Sequence, residues 1–250
     1  MVTIKSKTEV QLMRDAGRIT YETLKLIEEN VKPGVTTKEL DKIAEDYIRK
    51  CGCLPSFKNY GGFPGSICAS VNSEIIHGFP NNIPLKEGDI LCVDVGACYK
   101  GYHGDAARTF GVGRISENAQ KLIDVAKQCF FEGVKFAAEG YRISDISAAV
   151  QNYAEENGFS VLRDYCGHGV GRELHEDPEI PNYVTRGHRG IRIRRGMCLA
   201  IEPMIFEGKK EYYVESNGWT VKSKDGKLGA HYENSVLVTD NGPYLLTLCE

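Results

Sequence analysis

Asp94 and Asp105 lie in the stretch GDILCVDVGACYKGYHGDAARTF, Gly88 to Phe110, among residues that do not suit carboxylates. Ile90 to Ala97 is an apolar run of strand length with Asp94 at its middle, and Lys100-Gly101 is a turn signal ahead of Asp105. Folded as a β-hairpin about that turn, the stretch pairs Tyr99 with Tyr102, Gly96 with Asp105 and Asp94 with Ala107. Side chains alternate along a strand, so the two aspartates become diagonal neighbours on one face. Unpaired carboxylates are costly to bury, and the pair therefore calls for a cation or for shared protons. The alternative is a hairpin face on which both acids are solvated, and the rest of the chain discriminates between the two.

The chain has 250 residues, enough for one large domain or two small ones with a packed core. A net charge of −3, with 26% charged and 42% hydrophobic residues, is ordinary for a soluble globular enzyme and gives no global argument for nucleic-acid binding. The N-terminus MVTIKSKTEVQLMRDAG lacks the apolar core of a signal peptide, and no stretch reaches membrane-spanning length. Nine cysteines, dispersed apart from Cys51-Gly-Cys53, point to reduced thiols and a cytoplasmic protein. The CxC pair alone makes a poor zinc site.

Several helices must position the acids. Ser6-Lys-Thr-Glu9 has the form of a capping box, with Leu12, Ala16, Ile19, Thr23 and Ile27 following at helical spacing. Thr36-Thr-Lys-Glu39 opens a second helix, carrying Leu40, Ile43, Ala44, Tyr47 and Ile48 and ended by Gly52. Residues 59–80 are too rich in glycine and proline for a helix and read as short strands and loops. Ser116 starts a third helix with Leu122, Val125, Cys129 and Phe136. Ser144-Asp145 starts a fourth with Ile146, Ala149, Val150 and Tyr153, ended by Asn157-Gly158. The remainder reads as strand and loop.

That order repeats. Shifted by 106, Gly34, Leu40, Ala44, Tyr47 and Gly52 fall on Gly140, Ile146, Val150, Tyr153 and Gly158. Shifted by 108, GDILCVD falls on GMCLAIE and Asp94 on Glu202. The strand beginning at Glu233 is the counterpart of the one after Asp105. Two related halves packed about a pseudo-twofold axis are expected, about 1–112 and 113–250, forming a single catalytic domain. If the inner hairpins meet, Asp94, Asp105, Glu202 and Glu233 converge, and four carboxylates cannot share a partly buried site ionised without cations. His168 and His175 lie in Cys166-GHGVGRELHEDP, where three glycines argue against a helix and for a turn-rich loop that presents the imidazoles. Imidazole beside carboxylates suits Mn, Fe, Co or Zn. Five mostly oxygen ligands exceed one tetrahedral zinc and fit two divalent ions.

The motifs HGFP at 77–80, VDVGACYKGYHGDAARTF at 93–110, GHGVGRELHEDP at 167–178, IEPM at 201–204 and WTVKSKDGKLGAHYE at 219–233 resemble those of the methionine aminopeptidases, over nearly the whole chain. The absence of a long insertion between His175, Glu202 and Glu233, and of a cysteine-rich N-terminal extension, resembles the bacterial type I group. The resemblance implies an α+β duplicated pita-bread fold, an antiparallel sheet backed by helices. It also implies removal of initiator methionine from nascent polypeptide N-termini. By the same resemblance Asp94, Asp105, His168, Glu202 and Glu233 are the metal ligands, with Asp105 and Glu233 bridging and Glu202 shuttling the proton of the attacking water. His77 and His175 would contact the substrate about the scissile bond, and Tyr60, Phe63, Cys68 and Trp219 would line the methionine pocket. Phe57 and Leu174 stand where some bacterial members carry a small residue and an aromatic, so an altered pocket shape is expected.

Two rivals share the scaffold. Xaa-Pro peptidases usually carry a further N-terminal domain, for which a capping box at Ser6 leaves no room. A non-catalytic binding module would be expected to have lost ligand residues. Arg186, Arg189, Arg192, Arg194 and Arg195, followed by Lys209, Lys210, Lys222, Lys224 and Lys227, form a basic strip. It reads as a solvated surface or as a transient contact with ribosomal RNA. No DNA or membrane partner is expected, and a monomer is.

Overall fold

The computed structural model describes residues 2–187 and 189–248. Four long helices back two main antiparallel sheets. The first helix, α1 (Lys7–Asn30), begins at the Ser6 capping box, and α2 (Thr37–Lys50) begins at the matching Thr36–Glu39 box. The third, α3 (Glu117–Val134), is capped by Ser116. The fourth, α4 (Ile143–Glu156), starts earlier than its sequence signals suggest. Asp145 reaches back to the Arg142 amide at 2.8 Å, so the cap is Arg142 rather than Ser144. The bounds of α2 and α4 differ by the same 106 residues as the sequence repeat.

Positive φ recurs at equivalent turns, at Gly34 and Gly140, Gly52 and Gly158, and Gly88 and Gly196. Glycine meets no steric penalty there. Isolated bridges Thr36–Pro84 and Arg142–Arg192 recur in the same way, ahead of α2 and α4. These correspondences express the duplication in the backbone.

In the first half the Ile90–Tyr99 strand pairs with Tyr102–Gly111 on one side and with Ile67–Val71 and Leu54–Pro55 on the other. The hairpin register is the expected one, with Tyr99 opposite Tyr102, Gly96 opposite Asp105 and Asp94 opposite Ala107. In the second half a five-stranded sheet runs in the order Gly242–Leu245, Asn234–Thr239, Cys198–Ile201, Cys166–Gly169, Glu176–Pro181. Each half has its own core. One is built on Ile19, Leu24, Leu40, Ala44, Ile48, Leu91, Val93 and Val95, the other on Leu122, Phe130, Ile146, Val150, Leu199, Ile201 and Val236.

The halves meet along the inner strands. Glu233 donates its amide to Ala107 O at 3.0 Å. The Ser235 hydroxyl bonds both the amide and the carbonyl of Asp105, at 3.0 and 2.9 Å. Helix α1 packs behind this seam at glycine distance, since a Cβ on Gly104 would stand 2.7 Å from Gly17 N. No described helix is long and apolar enough to cross a membrane.

Candidate metal centre

The seam between the halves carries the acids. Asp94 and Asp105 come from the first hairpin, Glu202 from the end of the Cys198–Ile201 strand, and Glu233 from the residue before Asn234–Thr239. Asp105 and Glu233 are 3% and 2% exposed, while Asp94 and Glu202 are half-buried and open toward a cavity of about 170 Å³. His168 completes the group. It stands on the Cys166–Gly169 strand, not in the expected loop, because Gly167 and Gly169 sit flat against neighbouring strands. A Cβ on them would lie 2.4 Å from Ala200 O and 2.2 Å from Asp177 O.

His168 Nε2 lies 3.4 Å from Glu202 Oε1 and 3.9 Å from Asp105 Oδ2. Donor atoms of Asp105, His168 and Glu233 fall within 4.8 Å of one another. Donors held around a common cation stand at such spacings.

The electrostatics ask for positive charge. Burial pushes Asp105 up to about 7. Burial, then the neighbouring carboxylates, push Asp94, Glu202 and Glu233 well above the usual carboxylate range. One buried oxygen each of Asp94, Asp105 and Glu233 has no hydrogen-bond partner. His168 gives its Nδ1 proton to Gly169 O at 2.8 Å, which turns the Nε2 lone pair toward the acids. Burial lowers its pKa to about 3, so the imidazole is neutral, as a ligand must be. The oxygen-rich donor set with one imidazole fits a first-row divalent ion. By contrast, Cys51 and Cys53 form no metal-binding group with other described residues.

The cavity walls join the remaining residues singled out in the sequence. Phe57, Phe63, Cys68 and Leu174 form a buried apolar cluster against Phe79 and Trp219. Phe63 stacks edge-on with Phe79 and Trp219 at 5.2 and 5.4 Å. Cys68 sits opposite Asp94 across the sheet, where the apolar wall meets the acid floor. His77, at φ 58, turns its ring against Trp219 and Tyr165. Burial depresses its pKa to about 4. Gly78 permits the turn, for a Cβ there would stand 2.4 Å from Ala69 O.

His175 stands at the mouth, its ring 4.3 Å from that of His168, with the Tyr60 hydroxyl 2.8 Å from its Nδ1. Phe79, Tyr165 and His231 were not picked out from the sequence. Phe79 is masked by its turn motif HGFP, and Tyr165 lies in a segment without periodicity. His231 could have been found from its place two residues before Glu233.

A model of metallopeptidase family M24 matches residues 11–240. The methionine aminopeptidase of Clostridium acetobutylicum is 56% identical over 251 residues, 100% of each chain. The crystal structure of the Thermotoga maritima methionine aminopeptidase superposes with a TM-score of 0.96 at 43% identity, covering 99% of each chain. The prolidase of Pyrococcus furiosus superposes at 0.78 with 24% identity, over 99% of this chain and 66% of that one, a likeness of fold. The chain belongs to metallopeptidase family M24, on its methionine aminopeptidase branch, and has the pita-bread fold of that family.

Proposed function

We propose that the chain, as a single catalytic domain of two related halves, removes methionine from the N-termini of new polypeptides in the cytoplasm. In this reading Asp94, Asp105, His168, Glu202 and Glu233 hold the divalent ions, two per chain, drawn from Co, Mn, Fe or Zn. The carrying observation is the meeting of four carboxylates and a tautomer-fixed imidazole on the floor of an apolar-walled cavity. Eight described cysteines are free thiols, which suits a reducing compartment; Cys249 lies outside the described residues.

A divalent ion held by Asp94, Asp105, His168, Glu202 and Glu233 would supply Lewis-acid polarisation of the scissile carbonyl and a lowered pKa for water at the site. The protein supplies the rest. Phe57, Phe63, Cys68, Leu174 and Trp219 enclose an unbranched thioether side chain by apolar and sulfur–aromatic contact. Glu202 faces the acid cluster from the cavity side, takes the proton of the attacking water and returns it to the leaving amine. The Tyr60 hydroxyl lies 2.8 Å from His175 Nδ1; in the tautomer where the hydroxyl donates, the ring proton stands on Nε2 for the carbonyl oxygen as negative charge develops there. His77, neutral and wedged against Trp219, lies beside the scissile bond.

The basic strip bears on the ribosome. Arg195 is paired with Asp240, Lys222 with Glu215 and Lys227 with Glu207, while Arg186, Arg189, Arg192 and Arg194 are exposed. His188, inside that strip, lies outside the described residues. The exposed arginines form the electrostatic contact in this reading.

The test is protein purified without oxygen, stripped, and reconstituted with Co, Mn, Fe or Zn singly, then assayed on Met-Gly-Met and on Gly-Pro peptides. Metal-dependent release of methionine from the first alone is expected. Turnover of Gly-Pro peptides alone would transfer the chain to the Xaa-Pro class. Absence of metal binding would leave a binding module.

A further inference from the structure

His231 has no part in the roles above, yet it is among the most enclosed polar side chains of the protein. It is 1% exposed, and neither ring nitrogen has a hydrogen-bond partner among the described residues. Its Nε2 edge faces the acids, 3.6 Å from Glu202 Oε2 and 4.0 Å from Glu233 Oε2. Leaving a buried N–H without an acceptor is costly, so this placement needs a cause.

The contrast with His168 supplies one. His168 hands its Nδ1 proton to Gly169 O, which frees Nε2 for a cation. No acceptor stands at His231 Nδ1. With the acids ionised about a cation, a lone pair on the Nε2 side would confront carboxylate lone pairs, whereas an N–H would meet acceptors. The proton therefore resides on Nε2, and His231 is built to donate where His168 is built to ligate. Glu202 is flanked accordingly, with Oε1 toward His168 at 3.4 Å and Oε2 toward His231 at 3.6 Å. A small side-chain adjustment closes the second gap to a hydrogen bond.

We propose that His231 is a positioning residue whose Nε2–H holds Glu202 by Oε2, so that Oε1 is presented to the metal site. The inference rests on the reading of the acid cluster as a metal centre. Hydrogen-bond partners of metal ligands are typically worth about 10- to 100-fold in metal affinity.

Three variants test it. His231→Leu removes the donor, His231→Gln restores an amide N–H near the place of Nε2, and His231→Asn carries the same amide too short to reach. Each stripped protein is titrated calorimetrically with Mn²⁺ and Co²⁺, the visible absorption of the Co²⁺ form is recorded, and kcat and KM are measured on Met-Gly-Met. Leu and Asn should weaken metal binding by about 10- to 100-fold, alter the Co²⁺ spectrum and lower kcat more than KM, with Gln within about threefold of the parent. Equal losses in Gln and Leu would overturn the proposal, as would parental affinity in Leu. Should the Leu variant fail to fold, the Gln–Asn pair carries the same comparison. The metal-centre reading fails separately, if the parent protein itself shows no saturable metal binding.

Discussion

Stripping the metal from this protein leaves Asp94, Asp105, Glu202 and Glu233 facing one another without counter-charge, and stability should then fall as pH rises from about 7.5 to 8. The sign follows from where protons sit. An unfolded chain releases its carboxyl protons near pH 4. In the fold, burial holds Asp105 at about 7, and burial with mutual repulsion holds the other three well above their usual range. Between those limits the fold binds more protons than the unfolded chain, so each retained proton lowers stability by about 1.4 kcal/mol per pH unit.

The buried histidines act in the opposite direction, but elsewhere on the scale. Desolvation depresses His77 and His103 to about 4, and His168 and His231 to about 3. Their unfolded counterparts are half-charged at about 6.5 and still titrate until about 7.5, so stability rises with pH up to about that value. Buried thiols such as Cys68 and Cys198, raised by desolvation, add slope only once unfolded thiols ionise near pH 8.5.

The window between isolates the carboxylates. Every two protons retained across the window cost about 3 kcal/mol per pH unit. For a chain of this size that corresponds to about 6–12 °C in Tm per pH unit. Calorimetry of chelated protein at four pH values across the window reads this directly. Metal-loaded protein should show little slope, and chelated Glu233→Gln should be flatter than the parent. A chelated Tm that is constant or climbs with pH would refute the clustering of unpaired acids.

Metal at about 100-fold over its Kd should add roughly 2.7 kcal/mol per site, so chelation at fixed pH lowers Tm by about 5–11 °C for one site; an unchanged melt would contradict linkage. His175→Ala should retain its metal and its Tm but lose about 100- to 1,000-fold in kcat, the usual effect of deleting a transition-state donor. Loss of metal instead would make His175 a ligand, and turnover near the parent's would remove it from catalysis. Gly104→Ala forces a methyl to 2.7 Å from Gly17 N and should destabilise by about 1–3 kcal/mol in chemical denaturation; a neutral result would mean that α1 can move off the sheet. Charge reversal at Arg186 and Arg194 should weaken ribosome co-sedimentation and its salt dependence together, whereas salt-insensitive binding would exclude an electrostatic contact.

What could be read from the sequence was whatever local chemistry over-determines. The hairpin register followed from a turn dipeptide and strict alternation, and the structure reproduces it at all three pairs named. The capping boxes placed α1 and α2 because both partners of each box are encoded within four residues. The start of α4 was misplaced because its cap is a backbone amide held by Asp145, with no Ser or Thr at the boundary to mark it. The glycines about His168 suggest a loop when taken for flexibility. In the fold they serve close approach between strands. Beyond its place two residues before Glu233, His231 carries no local signal, because a buried imidazole gains meaning only from what faces it, and Glu202 reaches it from beyond the end of the Cys198–Ile201 strand.

The division of labour in the fold accounts for this pattern. The acids sit on strands or at their ends, and the halves are stitched by Glu233 N to Ala107 O and by Ser235 to Asp105, so their spacing is set by sheet geometry rather than by loops. A centre placed that way is held by backbone pairing across the seam, which is what a cluster of like charges requires if repulsion is not to spread it. The walls around it have another origin. Phe57, Tyr60, Phe63, His77, Leu174 and Trp219 come from connecting segments that reach the cavity from both halves. The acids are thus tied to the duplication, with Asp94 and Glu202 standing 108 residues apart and Asp105 and Glu233 standing 128 apart across a longer connection. The cavity wall is tied to unrepeated segments, where a substitution at Phe57 or Leu174 would alter the wall without moving an acid.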